Sequence, residues 1–202
     1  MKGIALVSGG IDSPVSAHVI AKRGIELVPL YLDNDPFAGA DTKARALKSI
    51  ARLRAVDKSV AEPVVLKHGH ALKAFTDNCD RKYTCVFCKR MMARVASELG
   101  RREGASFIVM GDSMGQVASQ TLENIVVVEA ASALPIVRPL IGMDKLEIER
   151  IAKEIGTYEI SSKSVTPCSA VPSKPSTRAT IEKLEAEEAK LDIGSLIAGY
   201  FQ

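Results

Sequence analysis

Six residues near the amino end, Ser8-Gly9-Gly10-Ile11-Asp12-Ser13, have the types and spacing needed to cradle a phosphate. Adjacent glycines let backbone N–H groups reach an anion with no Cβ in the way. A helix beginning just after them would aim its positive end at the same space. Ser8 and Ser13 add hydroxyl donors, and Asp12, an acid beside an anion, makes sense if it meets a Mg²⁺ ion or orients the loop. The same string also reads as a tight strand-to-helix turn in which Asp12 or Ser13 is the N-cap.

Four further positions could act on a bound nucleotide. Gly111 follows an apolar run and can let a base approach the backbone, and Gln120 can read a base or ribose by hydrogen bonds. Lys89 and Lys145 are compact cations suited to a triphosphate and to charge that develops as pyrophosphate leaves. Taken singly, either lysine is equally at home as an exposed solubilising side chain.

Cys85-Val86-Phe87-Cys88 stands directly before Lys89. At the start of a helix such thiols are expected to lean toward thiolate, the form that attacks sulfur or binds metal. With Cys79 and Cys168 the chain has four cysteines. Three readings are open: an iron–sulfur cluster or persulfide relay on Cys85, Cys88 and Cys168, a Zn²⁺ site that also takes Cys79, or buried thiols. His68-Gly69-His70 lacks a third ligand nearby, so both histidines read as loop or solvent-facing residues. His18 reads as a packing or surface residue inside a helix.

These residues need a scaffold, and the pattern supplies one. Gly3 to Val7, Leu27 to Leu32, Pro63 to Leu66, Phe107 to Met110 and Leu134 to Val137 read as short apolar strands. Helices are predicted from Ser13 to Arg23, closed by Gly24, and from Asp41 to Leu53 behind an Asp or Thr cap. Two more run from Cys88 to Arg101 and from Lys145 to Glu154, the latter stopped at Gly156. Alternating apolar strands and helices give an α/β fold, a doubly wound parallel five-stranded sheet with helices on both faces. Ligands of such sheets sit beyond the carboxyl ends of the strands, where connections diverge. Residues 161–177 read as a loop rich in Ser, Pro, Lys and Thr. Thr180 to Leu191 reads as a charged helix with a solvated face and no chemistry.

A length of 202 residues suits one domain spanning 1–202. Apolar residues make up 47% and charged residues 25%, which excludes disordered and fibrous classes. The net charge of +3 permits a nucleic-acid partner without arguing for one. No stretch nears the roughly 18 apolar residues of a membrane span, so no membrane role and a cytoplasmic location are expected.

The Ser8 to Ser13 string lacks the pattern of Walker-type NTPases and of dinucleotide folds. It resembles the signature of PP-loop ATP pyrophosphatases, which adenylate a substrate with ATP. Lys89-Arg90-Met91-Met92, the string from Gly111 to Thr121, the string from Arg138 to Lys145, and Pro167-Cys168 followed by Ser173 to Thr177 narrow the resemblance. Together they are similar to the catalytic domain of tRNA 4-thiouridine synthetases, the thiamine and thiouridine biosynthesis sulfurtransferases. The resemblance covers most of the chain from Met1 to about Leu191, and implies an adenine nucleotide alpha hydrolase-like fold.

It further implies that ATP adenylates the C4 oxygen of a tRNA uridine and that sulfur then displaces AMP. Leu6, Val7, Lys89, Gly111 and Gln120 would contact ATP, with Ser8, Gly9, Gly10, Asp12 and Ser13 on its phosphates. Asp12 and Lys145 would support adenylation, and Cys168 would handle sulfur. Paired cysteines before the Lys-Arg-Met-Met string look like the archaeal variant, in which a cluster on Cys85, Cys88 and Cys168 replaces an appended sulfur-donor domain. Because the chain opens on its first catalytic strand, a separate RNA-binding partner is expected to bring the tRNA. Related enzymes look dimeric, so a homodimer is expected too. Two rival readings are a PP-loop enzyme that adenylates a small metabolite and a non-catalytic nucleotide-binding sulfur carrier.

Overall fold

A computed structural model describes residues 1–114 and 118–202. Five strands, β1 (Lys2–Leu6), β2 (Glu26–Asp33), β3 (Val64–Lys67), β4 (Phe107–Val109) and β5 (Ile136–Val137), form one sheet of order β3-β2-β1-β4-β5. Every pairing is parallel. The expected doubly wound α/β architecture is therefore present. The switch point falls at β1, which has β2 on one side and β4 on the other, so the connections leaving β1 and β4 part and open a crevice.

Alternation along β1 explains the two covered faces. Ile4 and Leu6 enter one hydrophobic cluster, and Ala5 and Val7 enter another. The first cluster packs against α3 (Gly69–Asn78), α4 (Thr84–Glu103) and α5 (Leu122–Glu129), and also receives α8 (Ile181–Glu188) and α9 (Ile193–Ala198). The second packs against α1 (Asp12–Ala21) and α2 (Ala40–Val56). A third, smaller cluster joins Val15 of α1 to Ile148 and Ala152 of α6 (Lys145–Glu154), beside α7 (Tyr158–Ser161). Fully buried side chains such as Phe87 and Leu53 each contribute about 1.5–3 kcal/mol of transfer free energy.

Several elements depart from expectation. Helix α2 begins at Ala40 behind Gly39, with no side-chain cap. Asp41 instead accepts hydrogen bonds from the backbone N–H and the hydroxyl of Thr166, at 2.8 and 3.2 Å. Helix α4 begins at Thr84, four residues before Cys88, so both cysteines of the pair lie inside it. Helix α3 was not expected, because Gly69 and its flanking histidines are poor helix formers. Its first turn passes so close to the Asp35-Pro36 backbone that a Cβ on Gly69 would lie 1.7 Å from the Asp35 carbonyl oxygen. Helix α6 matches its expected bounds, opened by a capping box of Asp144 and Glu147.

The charged helix α8 is not simply solvated. Glu188 at its end is buried, and its carboxylate meets Arg90 at 2.7 and 2.9 Å and Arg94 at 2.7 and 2.8 Å. Arg90 also donates to the Val127 carbonyl at 2.6 Å. The mixed charges thus conceal a buried dock between α4, α5 and α8. The 161–177 loop is tied down at Ser169, whose N–H donates to the Phe37 carbonyl at 2.7 Å, and at Ser176, which reaches the Lys82 carbonyl at 2.9 Å. Those ties carry Cys168 to the start of α4.

Candidate active site

The turn after β1 is braced by its own hydroxyls. The Ser8 N–H donates to Ser13 Oγ at 2.8 Å, the two hydroxyl oxygens are 3.0 Å apart, and the Gly10 N–H donates to Ser8 Oγ at 3.2 Å. The N-cap of α1 is Ile11, without a side-chain cap, so neither Asp12 nor Ser13 plays the capping role considered from sequence. Asp12 is left to face Lys145 Nζ at 2.6 Å, a pairing across 133 positions of sequence. Capping of α6 sets Lys145 at its first turn and aims it there.

Gly111 lies against this turn. A Cβ there would meet Ser13 Cα at 2.7 Å, so the α1 backbone itself demands glycine, a nearer cause than the approach of a base. The two connections that diverge at the switch point are thereby packed together.

Between them lies a cavity of about 280 Å³. Leu6, Val7, Ser8, Gly9, Gly10, Asp12, Ser13, Lys89, Gly111 and Gln120 all line it. The structure thus gathers every residue that the family resemblance placed on ATP, while Lys145 reaches this space only through its pairing with Asp12. Gln120 is 8% exposed, and its Oε1 has no hydrogen-bond partner among the described residues. The Asn34 Oδ1, also buried and unpartnered, lines the same space. Unpaired buried polar atoms that face a cavity are places for a ligand to bond. Within the string from Gly111 to Thr121, Gly115, Gln116 and Val117 lie outside the described residues.

Sequence reasoning missed Tyr31, Asn34, Thr42, Met92 and Asp112 on this wall. Asp112 is buried and binds Lys89 Nζ at 2.7 Å and Arg138 Nε at 3.1 Å. Burial works to raise its carboxyl, but Lys89 and Arg138 outweigh that and hold it below the ordinary carboxylate range. Arg138 also meets Glu129 at 2.5 Å. The available signal was position, since Asp112 and Arg138 follow β4 and β5 at the carboxyl edge of the sheet.

A second cavity of about 240 Å³ adjoins the first and shares Asn34, Lys89 and Met92 with it. Cys85, Cys88, Lys89 and Met92 recur at i, i+3, i+4 and i+7 and so form one stripe of α4. The three cysteines proposed to act together, Cys85, Cys88 and Cys168, all line this second cavity and are half-buried. Among the described residues, no three His, Cys, Asp or Glu side chains are gathered closely enough to hold a single metal ion as they stand. Cys79 is packed elsewhere, its thiol against the Glu187 carbonyl, so a four-cysteine zinc set is not assembled.

The expected lean toward thiolate is not seen. Burial pushes the Cys85 thiol up, and pushes Cys88 up to about 12, with neighbouring thiols adding to the effect and Lys89 opposing it. Desolvation outweighs the helix terminus, because the thiols face an apolar cavity. His68 is a second correction. It is fully buried, with Nε2 3.3 Å from Cys88 Sγ and Nδ1 2.6 Å from the Tyr200 hydroxyl. Burial, aided by His70, pushes His68 down to about 3, so it is neutral at ordinary pH. His70 is exposed, as expected.

Known proteins are similar to this chain in sequence and fold. The family model described as thiamine biosynthesis protein (ThiI) matches residues 1–193. A probable tRNA sulfurtransferase of Methanosarcina mazei is 43% identical over 198 residues, covering 98% of this chain and 49% of the relative. One from Methanobrevibacter smithii is 46% identical over 187 residues, covering 91% of this chain and 49% of the relative. The chain thus spans about half the length of the curated relatives it matches. Among solved structures, a 4-thiouridine synthetase in complex with RNA and bound ATP superposes with a TM-score of 0.93 at 33% identity. That match covers 99% of this chain and 53% of the other.

Proposed function

The chain belongs to the thiamine biosynthesis protein (ThiI) family, and on that premise we propose that it performs ATP-dependent thiolation of a tRNA uridine to 4-thiouridine. The observation that carries the proposal is the shared wall of the two cavities. Asn34, Lys89 and Met92 border both the glycine turn and the three cysteines. A base placed at that wall reaches the α-phosphorus of a nucleotide on one side and sulfur on the other.

In this reading ATP lies in the first cavity, with adenine toward Gly111 and Gln120 and phosphates on the Ser8 to Ser13 turn. The uridine O4 attacks the α-phosphorus and pyrophosphate leaves, its charge met by Lys89 and Lys145. Both lysines are already aimed by carboxylates, Lys89 by Asp112 and Lys145 by Asp12. Hydrosulfide then attacks C4 of the adenylated base, the C4–O bond breaks, and AMP departs with that oxygen as the C4=S group forms. Cys168, carried to the cavity by the tied loop, is the residue proposed to handle the sulfur.

Two cofactors fit the residues present. Asp12, a carboxylate on the cavity wall, suits a Mg²⁺ ion bound mainly by phosphate oxygens, which would neutralise charge on the triphosphate. Cys85, Cys88 and Cys168 are soft donors on one cavity and suit an iron–sulfur cluster, whose several irons accept thiols set farther apart than a single ion does. Such a cluster would supply an iron position able to hold sulfide.

Mass spectrometry of tRNA nucleosides from a deletion strain tests the proposal. Loss of 4-thiouridine, restored by the gene, is expected, and unchanged 4-thiouridine overturns it. ATP–pyrophosphate exchange with the purified chain separates the rival activity, since exchange that ignores tRNA and depends on a metabolite points to a small-molecule acceptor.

A further inference from the structure

His68, Gly69 and His70 stand outside the nucleotide site, yet all three have definite work in the fold. Gly69 allows α3 to pass the Asp35 carbonyl. The His70 ring lies 4.5 Å from the Tyr200 ring, and its Nε2 is 3.3 Å from the Leu196 carbonyl of α9. His68 stands between Tyr200 and Cys88. The segment after α9, 112 positions from Cys88 at Tyr200, is thereby connected to the cysteine cavity.

Hydrogen bookkeeping decides the direction of this chain. Tyr200 is 6% exposed, and His68 Nδ1 is the partner its hydroxyl has among the described residues. If Nδ1 carried the proton, it would donate to the tyrosine oxygen and leave the buried O–H with no acceptor. Stranding a donor in this way costs more than leaving a lone pair unused. The O–H therefore donates to Nδ1, the neutral ring carries its proton on Nε2, and that N–H faces Cys88 Sγ at 3.3 Å.

We propose that His68 and Tyr200 are positioning residues for Cys88, a fixed Nε2–H donor that holds the Cys88 sulfur as a hydrogen-bond acceptor in the cavity. No comparable hydrogen bond to sulfur is seen at Cys85 or Cys168 among the described residues. The three thiols are thus unequal, since among the described residues only Cys88 has a hydrogen-bonding side chain at its sulfur. A neutral thiol sulfur accepts weakly and keeps its own S–H, and a donor fixed beside it orients that sulfur, as outer partners orient ligands around metal sites. The inference rests on the reading of this cavity as sulfur-handling.

Two measurements on the full chain, without ATP, tRNA or metal, test it. Histidine-selective ¹⁵N NMR should show His68 as the Nε2–H tautomer, and Tyr200→Phe should convert it to a mixture. Mild diamide oxidation followed by peptide mass spectrometry should yield mainly the Cys85–Cys168 disulfide. Tyr200→Phe and His68→Leu should raise the share of disulfides that contain Cys88 by about two- to tenfold, the range expected from losing one hydrogen bond. His68→Gln, which keeps a donor, should restore the original pattern. A wild-type His68 protonated on Nδ1, or a disulfide pattern untouched by Tyr200→Phe, overturns the proposal. If both measurements succeed while thiolation of tRNA is absent, the positioning stands and the sulfur-handling reading falls.

Discussion

Helix α4 has two stripes that carry similar charges to opposite ends. On one, Lys89 stands between two cavities beside Cys85, Cys88 and Met92. On the other, Arg90, the very next residue, is 1% exposed and locked to Glu188 and the Val127 carbonyl. Both cations have a carboxylate partner, but Lys89 shares its partner at the edge of open space, whereas Arg90 is enclosed. Burial and the completeness of pairing, not residue type, separate a group available to a ligand from one spent on the fold.

Breaking the enclosed stripe should have the largest effect. Arg90→Leu leaves the buried Glu188 with fewer donors and should lower stability by about 3–5 kcal/mol, read from urea unfolding. Exchange of pyrophosphate into ATP, per folded molecule at low temperature, should stay near that of the parent. If Arg90→Leu instead abolishes exchange in folded protein, the division between the stripes is wrong.

The open stripe should respond the other way. Lys89→Ala is expected to lower ATP–pyrophosphate exchange by about 10²–10³-fold, the usual loss when one charge-stabilising group is removed. Because Arg138 still pairs with the buried Asp112, the variant's unfolding free energy should fall by only about 1–2 kcal/mol, well short of the loss on the enclosed stripe. A large drop in stability with normal exchange would assign Lys89 to the scaffold.

A smaller test uses acid. Burial works to raise the Glu188 carboxyl, but Arg90 and Arg94 outweigh it and hold it below its ordinary value. A carboxyl depressed in the folded state stabilises above its unfolded pKa of about 4.3, and that contribution is lost as pH falls through the lower folded pKa. Stability should therefore fall steeply below about pH 4, and Arg90→Leu should flatten this limb. Asp112 on the open side is depressed too, so Lys89→Ala should soften the same limb independently. The smallest expected change is Thr180→Ala. It removes the cap that accepts from the Lys183 N–H at the start of α8 and should cost about 1 kcal/mol without touching exchange.

Much of the nucleotide side was legible because its information is local. Ser8 to Ser13 is contiguous and follows a buried strand, and Lys145 opens a helix with its own capping box. The cysteine side was legible only in part. Cys85 and Cys88 announced themselves by spacing, but their protonation was misjudged because a helix start is visible in sequence and an apolar cavity is not. Asn34 carried no signal at all, since its importance comes from where β2 ends relative to α4.

By itself, then, the sequence determined the alternation of strands and helices, the glycine turn, and the types of donor available, since these depend on neighbours a few positions apart. Tertiary structure alone decided the partners: Asp12 with Lys145, Arg90 with Glu188, and His68 between Tyr200 and Cys88. Each joins residues from separate elements that only packing brings together. Whether a charge or a ring ends open to a ligand or enclosed follows from the volume left once the sheet is covered, a quantity no local pattern encodes.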